Sequence, residues 1–139
     1  MNRIRKVCEY DVDRLQSFVK KAGLPEIKGD MKENCFFILE NEEEWHGCIG
    51  LKSKDEQGLI FNLVISPQMG QKEIIALFDQ VVREALDQHL STIYLYAGSK
   101  QAIPLLQLLG FDECSREESP SFVRNYQQDI GAILMKRTF

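Results

Sequence analysis

The sequence predicts a mixed α/β domain: a mixed, mostly antiparallel sheet with helices on both faces. Three observations carry this. Three apolar strand segments separated by two short charged turns occupy residues 35–65. A strongly amphipathic helical stretch at 71–90 follows almost at once. Strand and helix patterns then alternate to the C-terminus, which places helices against a sheet rather than in a separate bundle.

The elements follow in order. Residues 3–7 read as a short first strand. Asp11 or Asp13 offers an N-cap, and Val12, Leu15, Phe18, Val19 and Ala22 recur at helical spacing until Gly23 and Pro25 end the run. Residues 26–34 are polar and read as a short helix or a loop. Residues 35–39 form a buried strand, 41–44 an acidic turn, 45–52 a second strand holding Cys48, Ile49 and Leu51, 53–57 a charged turn, and 59–65 a very apolar third strand. Ser66 and Pro67 stop it. In the helix at 71–90, Ile74, Ile75, Phe78, Val81, Val82, Ala85 and Leu86 form one stripe, with Asp79, Arg83, Glu84 and Asp87 opposite. Residues 92–97 are a strand. A helix starting at Ser99 or its neighbour runs through Leu109, with Gly110 as its C-terminal stop. Residues 111–116 and 130–136 are the last two strands, flanking an irregular stretch at 117–129. No repeat or linker interrupts the chain, so 1–139 reads as a single domain.

Composition narrows the function. The chain has 139 residues, is 44% hydrophobic and 27% charged, and carries a net charge of −4. Those fractions are ordinary for a folded globular protein. The negative charge argues against sequence-independent nucleic-acid binding, which needs a positive surface to release counterions. No apolar run approaches the about 20 residues of a membrane span, and the N-terminus lacks a signal-peptide layout. The expected location is the cytoplasm. Cys8, Cys35, Cys48 and Cys114 form no CxxC pair and read as buried or half-buried reduced thiols. His46 and His89 match no metal-ligand spacing, so no metal site is expected. The run Glu42-Glu43-Glu44 reads as a solvated hairpin tip, with a patch for a basic partner as the alternative.

Local motifs then point to a family. Asn62-Leu63-Val64-Ile65-Ser66-Pro67 resembles the fourth strand and loop entry of the GCN5-related N-acetyltransferases (GNAT superfamily). Leu105-Leu106-Gln107-Leu108-Leu109-Gly110-Phe111 resembles that family's penultimate helix with its Gly-Phe ending, and Ile133-Leu134-Met135-Lys136 its closing strand. The resemblance spans nearly the whole chain. The tail, Ser119-Pro120 followed by Arg124-Asn125-Tyr126-Gln127-Gln128, is similar to the end of bacterial N-acetylglutamate synthase acetyltransferase domains. Small arsenic-resistance-type acetyltransferases share the length and the proline. The resemblance implies acetyl-CoA as co-substrate and a small-molecule amine as acceptor, with an amino acid or analogue indicated by the tail. It leaves a homodimer open as a partnership.

In the family, a loop of the form Arg/Gln-x-x-Gly-x-Gly/Ala opens a helix and binds the pyrophosphate of CoA. Amides at a helix start lack intrahelical partners and point at an anion, and the helix dipole adds attraction. The loop here is Pro67-Gln68-Met69-Gly70-Gln71-Lys72-Glu73-Ile74, with one glycine instead of two. Gln68, Met69, Gly70, Gln71, Lys72 and Glu73 are therefore the expected phosphate-binding residues. Lys72 would favour phosphate, and Glu73 would oppose it by about 0.3–1 kcal/mol. The main chain of Leu63, Val64 and Ile65 would pair with pantetheine. Ser99 stands where the family often contacts the pantetheine arm, and a plain N-cap role is the alternative.

The catalytic groups are the weak part of the resemblance. The family's acid, a tyrosine before Gly-Phe, is replaced at Leu105 or Leu106. A base is often carried on the fourth strand, where the inward candidates Leu59, Phe61 and Leu63 are apolar and Asn62 is a poor proton acceptor. Selecting the neutral form of an α-amine near pKa 8 costs about 1.4 kcal/mol at pH 7, against about 4.6 for a lysine amine. Proximity alone supplies about 7–11 kcal/mol. An α-amine acceptor thus tolerates the loss of a base. Tyr96 and Tyr94 are the candidate acids, with half-buried packing under a helix as the alternative. Arg124 and Tyr126 are candidate substrate contacts in a surface loop, Arg124 through a carboxylate. A catalytically degenerate module that binds CoA or a protein partner without turnover is the competing function.

Overall fold

The computed structural model describes residues 2–28, 34–126 and 131–139. Gln127 and Gln128, the expected strand start at Ile130 and residues 29–33 of the polar stretch lie outside the described residues. Seven strands are described: β1 (Asn2–Lys6), β2 (Asn34–Asn41), β3 (Glu44–Lys54), β4 (Gln57–Ile65), β5 (Thr92–Ala97), β6 (Asp112–Glu113) and β7 (Ile133–Thr138). The helices are α1 (Val12–Lys21), α2 (Gln71–Asp87), α3 (Ile103–Leu108) and α4 (Ser121–Arg124). The strands form one sheet in the order β1-β2-β3-β4-β5-β7-β6. Every neighbouring pair is antiparallel except β4–β5, which is parallel.

Alternation along the meander sorts side chains to two faces. Cys35, Phe37, Leu39, Ile49 and Leu51 meet α2 and α3 through Leu77, Phe78, Val81, Ala85 and Leu106. Phe36, Ile38, Cys48 and Phe61 meet α1 through Leu15 and Val19. On the α1 face, α4 packs Val123 against Leu59, Tyr94 and Leu134, and Tyr126 touches both of that face's clusters. Gly50 makes room for an edge-to-face pair. A Cβ there would lie 2.6 Å from Phe36, whose ring centroid is 5.2 Å from that of Phe61. Phe61 is thereby seated at the floor of the site described below.

Helix ends follow from local chemistry. At the end of α3 the amides of Gly110 and Phe111 bond back to Gln107 and Leu106 at 3.0 Å each, a closure that needs the left-handed backbone of Gly110 (φ 93°). The end of α2 closes the same way, but with His89 (φ 60°) in the glycine position. Asp11 occupies the N-cap position of α1, yet its carboxylate turns to Arg5 (2.8 and 3.0 Å) and to the Cys8 amide (3.1 Å).

Several expectations need correction. The buried stripe of α2 runs through Leu77, Phe78, Val81 and Ala85, while Leu86 is half exposed. Successive helical residues turn 100°, so Leu86 falls off the stripe centred on Phe78, Val81 and Ala85, and Leu77 falls on it. The helix expected from Ser99 begins as a 3-10 turn at Lys100–Ala102, and Pro104 stands in the first turn of α3. The strand expected at 111–116 shrinks to Asp112–Glu113, and the irregular stretch contains α4 and a 3-10 turn at Arg116–Glu118. Cys8 is exposed rather than buried; Cys35 and Cys48 are buried and Cys114 is half-buried. No helix among the described residues is long and apolar enough to cross a membrane.

Candidate functional site

The site begins where the sheet comes apart. β4 and β5 share three rungs: Gln57 with Thr92, Gly58 with Ile93 and Leu59 with Tyr94. Beyond Leu59 no rung joins them, so the β4 edge from Ile60 onward faces open space. The register with β3 slips at the same point. Cys48 pairs with Val64 and Gly50 with Phe61, which leaves one extra residue on β4. Asn62 takes up the bulge with φ 49°, a conformation that asparagine tolerates better than most residues. The Cys48 thiol donates to the Asn62 carbonyl at 3.3 Å. Burial pushes that thiol up to about 12, so it stays protonated and remains a donor. The bulge also breaks the expected alternation. Phe61 faces α1, whereas Leu63 packs on the α2 side.

Two cavities meet at this point. One of about 430 Å³ runs along the parted strands, between Ile60 to Leu63 of β4 and Leu95 and Tyr96 of β5, closed by the turn after α1. The other, of about 420 Å³, lies between β3, the segment after α1 and the end of α4, with Glu26, Lys28, Lys52 and Asn125 in its wall. Pro25, Phe61, Asn62 and Tyr126 line both.

Three tyrosines have different fates. Tyr94 is buried among Leu59, Val123 and Leu134 and lines neither cavity; burial raises its pKa. Tyr96 lines the strand cavity, but its hydroxyl donates to the Val123 carbonyl at 2.6 Å and so anchors α4 to β5. Tyr126 stacks on Tyr96 at 6.5 Å and 17°, meets Phe61 edge-on at 6.1 Å, and directs its hydroxyl to Asn62 Oδ1 at 3.5 Å. Burial raises its pKa as well.

The expected cofactor loop is a tight turn into α2. Met69 is buried, its sulfur packed where a side chain on Gly47 would begin, while Gln68, Gly70, Gln71 and Lys72 are exposed. Gly70 is the N-cap, in extended conformation, and Ile74 makes the first bond back to it at 3.2 Å. The amides at the start of α2 therefore have no intrahelical partner. Glu73 folds back over this end. Its Oε2 is 2.9 Å from the position of a Cβ on residue 70, and its Oε1 accepts from Asn2 at 3.2 Å. Leu63 and Val64 are half-buried and Ile65 is exposed.

The remaining candidates are dispersed. Ser99 is exposed and is the N-cap of the 3-10 turn before α3. Arg124 is exposed, lines neither cavity, and accepts at its carbonyl from Arg116 at 3.4 Å. Leu106 is buried in the core and Leu105 is half-buried. Sequence reasoning did not select Pro25, Phe61, Lys28 or Lys52, and passed over Asn62. A polar residue within an otherwise apolar strand was the available signal for Asn62.

No family model matches the sequence. A curated relative, the uncharacterized protein YwlB of Bacillus subtilis (strain 168), is 29% identical over 143 residues, covering 97% of this chain and 96% of the relative. Among solved structures, N-acetylglutamate synthase from Neisseria gonorrhoeae, complexed with coenzyme A and N-acetyl-glutamate, superposes with TM-score 0.74 at 21% identity. That match covers 99% of this chain but 35% of the synthase, so the chain spans about a third of that protein's length. The ribosomal-protein-S18-alanine N-acetyltransferase of Escherichia coli gives TM-score 0.73 at 20% identity, covering 99% and 94% of the two chains. Rv2747 from Mycobacterium tuberculosis, in complex with CoA, gives 0.77 at 16%, covering 99% of each. A likeness at such identities is one of architecture: the resemblance seen in the motifs holds in three dimensions, and the chain has the fold of the GCN5-related N-acetyltransferases.

Proposed function

We propose that the chain is an acetyl-CoA-dependent N-acetyltransferase acting on the amine of a small molecule, an amino acid or analogue. The observation that carries this reading is the parting of β4 from β5 after Leu59 and Tyr94 into a slot that meets a second cavity at Phe61, Asn62 and Tyr126. A slot beside an unpaired strand edge suits an extended amide-bearing arm, which the main chain of Leu63, Val64 and Ile65 would hold as a strand holds its neighbour. The coenzyme A in the Neisseria synthase and Rv2747 structures supports the same assignment.

The residues present fit the co-substrate. The first amides of α2, preceded by Gly70, suit a pyrophosphate, with Lys72 beside them and Glu73 against them. Acetyl-CoA supplies an activated acyl group. The protein's part is to orient that group, to offer backbone N–H donors from the Asn62 bulge to the developing oxyanion, and to hold the amine nearby. The second cavity suits the acceptor. Its wall carries two cations, Lys28 and Lys52, and one anion, Glu26, which matches a molecule bearing both carboxylate and amine.

A second reading is a module that binds CoA or a protein partner without turnover. It is favoured by the Glu73 carboxylate folded over the helix start and by the leucines, Leu105 half-buried or Leu106 in the core, that stand where the family carries its acid. Thermal shift and calorimetry with acetyl-CoA and free CoA test the reading. Ligand at 100 times its dissociation constant adds about 2.7 kcal/mol, a rise of several degrees for a domain of this size. No shift with either ligand would end the acetyl-CoA assignment. Binding with no acetylation of an amino-acid panel would leave the second reading.

A further inference from the structure

We propose that Tyr126, beyond the end of α4, is the catalytic residue that protonates the departing sulfur, in place of an acid on α3. This rests on the acetyltransferase reading above. The two cavities share four residues, Pro25, Phe61, Asn62 and Tyr126, and Tyr126 is the one titratable side chain among them. A group that serves the leaving thiol must stand where the co-substrate's arm and the acceptor meet, and that place is the shared wall. The other tyrosines stand elsewhere: Tyr10 is 98% exposed, Tyr94 lines neither cavity, and Tyr96 lines the strand cavity alone.

The Tyr126 ring is fixed from two sides, by the stack on Tyr96 and the edge contact with Phe61. Its hydroxyl is aimed at Asn62, the bulge residue of the unpaired strand edge, at 3.5 Å. Burial disfavours the phenolate, so the hydroxyl keeps its proton at neutral pH, as an acid requires. In the step, the acceptor nitrogen bonds to the acyl carbon and the carbon–sulfur bond breaks, leaving its electron pair on sulfur. Tyr126 gives its proton to that sulfur. The proton released by the acceptor nitrogen returns through water to the phenolate. The net change is thioester plus amine to amide plus thiol.

Tyr126→Phe keeps the ring and removes the hydroxyl. Calorimetry compares CoA with desulfo-CoA on both proteins, a readout independent of turnover. The wild type should prefer CoA by about threefold or more, as one hydrogen bond to sulfur allows, and the variant by less than twofold. The single-turnover rate of acetyl transfer to a panel of L-amino acids should fall by about 100-fold in the variant at unchanged melting temperature. An unchanged CoA preference, or a rate within threefold of wild type, would overturn the role of Tyr126 while leaving the acetyltransferase reading intact. Wild-type protein that binds no CoA, or acetylates nothing in the panel, would overturn that reading and this inference with it.

Discussion

The Cys48 thiol donates to the Asn62 carbonyl at 3.3 Å, across the one place where β3 and β4 fall out of register. The bond gives the displaced carbonyl a partner and so holds the bulge that shapes both cavities. Cys48→Ala removes the donor and leaves a small void, and should cost about 1–2 kcal/mol. Differential scanning calorimetry should record a fall of several degrees, and titration a weaker affinity for CoA. Unchanged values of both would show that the bulge stands without the thiol.

Glu73 sets the charge at the start of α2. Its carboxylate lies over the end where the amides point outward, so it occupies space and potential that a phosphate would use. Glu73→Gln should tighten CoA binding about two- to fivefold, the equivalent of one helix-end charge. Weaker binding by a folded variant would refute the conflict.

Acid should loosen the N-terminal corner. The Arg5 guanidinium grips Asp11 at 2.8 Å and, with the Cys8 amide, holds that carboxyl well below the usual carboxylate range. A carboxyl depressed in the folded state stabilises fully above its unfolded value near 4, and the contribution drains away as pH falls below that. Wild-type stability should therefore decline between about pH 4 and pH 2. Asp11→Asn should lower stability at pH 7 by about 1 kcal/mol and show a shallower acid decline. Parallel curves for the two proteins would place the acid sensitivity elsewhere.

The acidic hairpin between β2 and β3 turns on Glu42 (φ 52°) and Glu43 (φ 71°). Both sit in the left-handed region that two-residue hairpin turns require and that Asn-Gly satisfies far better. Glu42→Asn with Glu43→Gly should raise stability by about 1 kcal/mol or more, read by urea denaturation with an unchanged slope. A destabilised double variant would mean that the glutamates make contacts worth more than their backbone strain.

The layers, the meander and the strand-to-helix turn at Gly70 were legible in the sequence because each rests on periodicity or on a breaker residue. Phe36, Ile38, Ile49 and Leu51 alternate as a two-faced sheet demands, and Ser66-Pro67 followed by Gly70 can only end a strand. The site was less legible because it depends on a register slip. A bulge at Asn62 carries Leu63 to the opposite face, and no side-chain pattern announces one extra residue. The choice among tyrosines was likewise hidden, since the bond from Tyr96 to Val123 spans 27 positions and forms only once α4 has docked. α4 itself is four residues long, too short for its periodicity to register.

The three-rung seam between β4 and β5 divides the sheet into two panels joined at one end, like a book held by part of its spine. In hydrogen-exchange terms, the β4 amides that face the open side beyond Leu59 should exchange far faster than their neighbours bonded to β3. A bound pantetheine arm would cap those same amides and bridge the panels. Its binding should then appear as slowed exchange confined to the open edge of β4, a footprint that maps the arm residue by residue without any measurement of turnover.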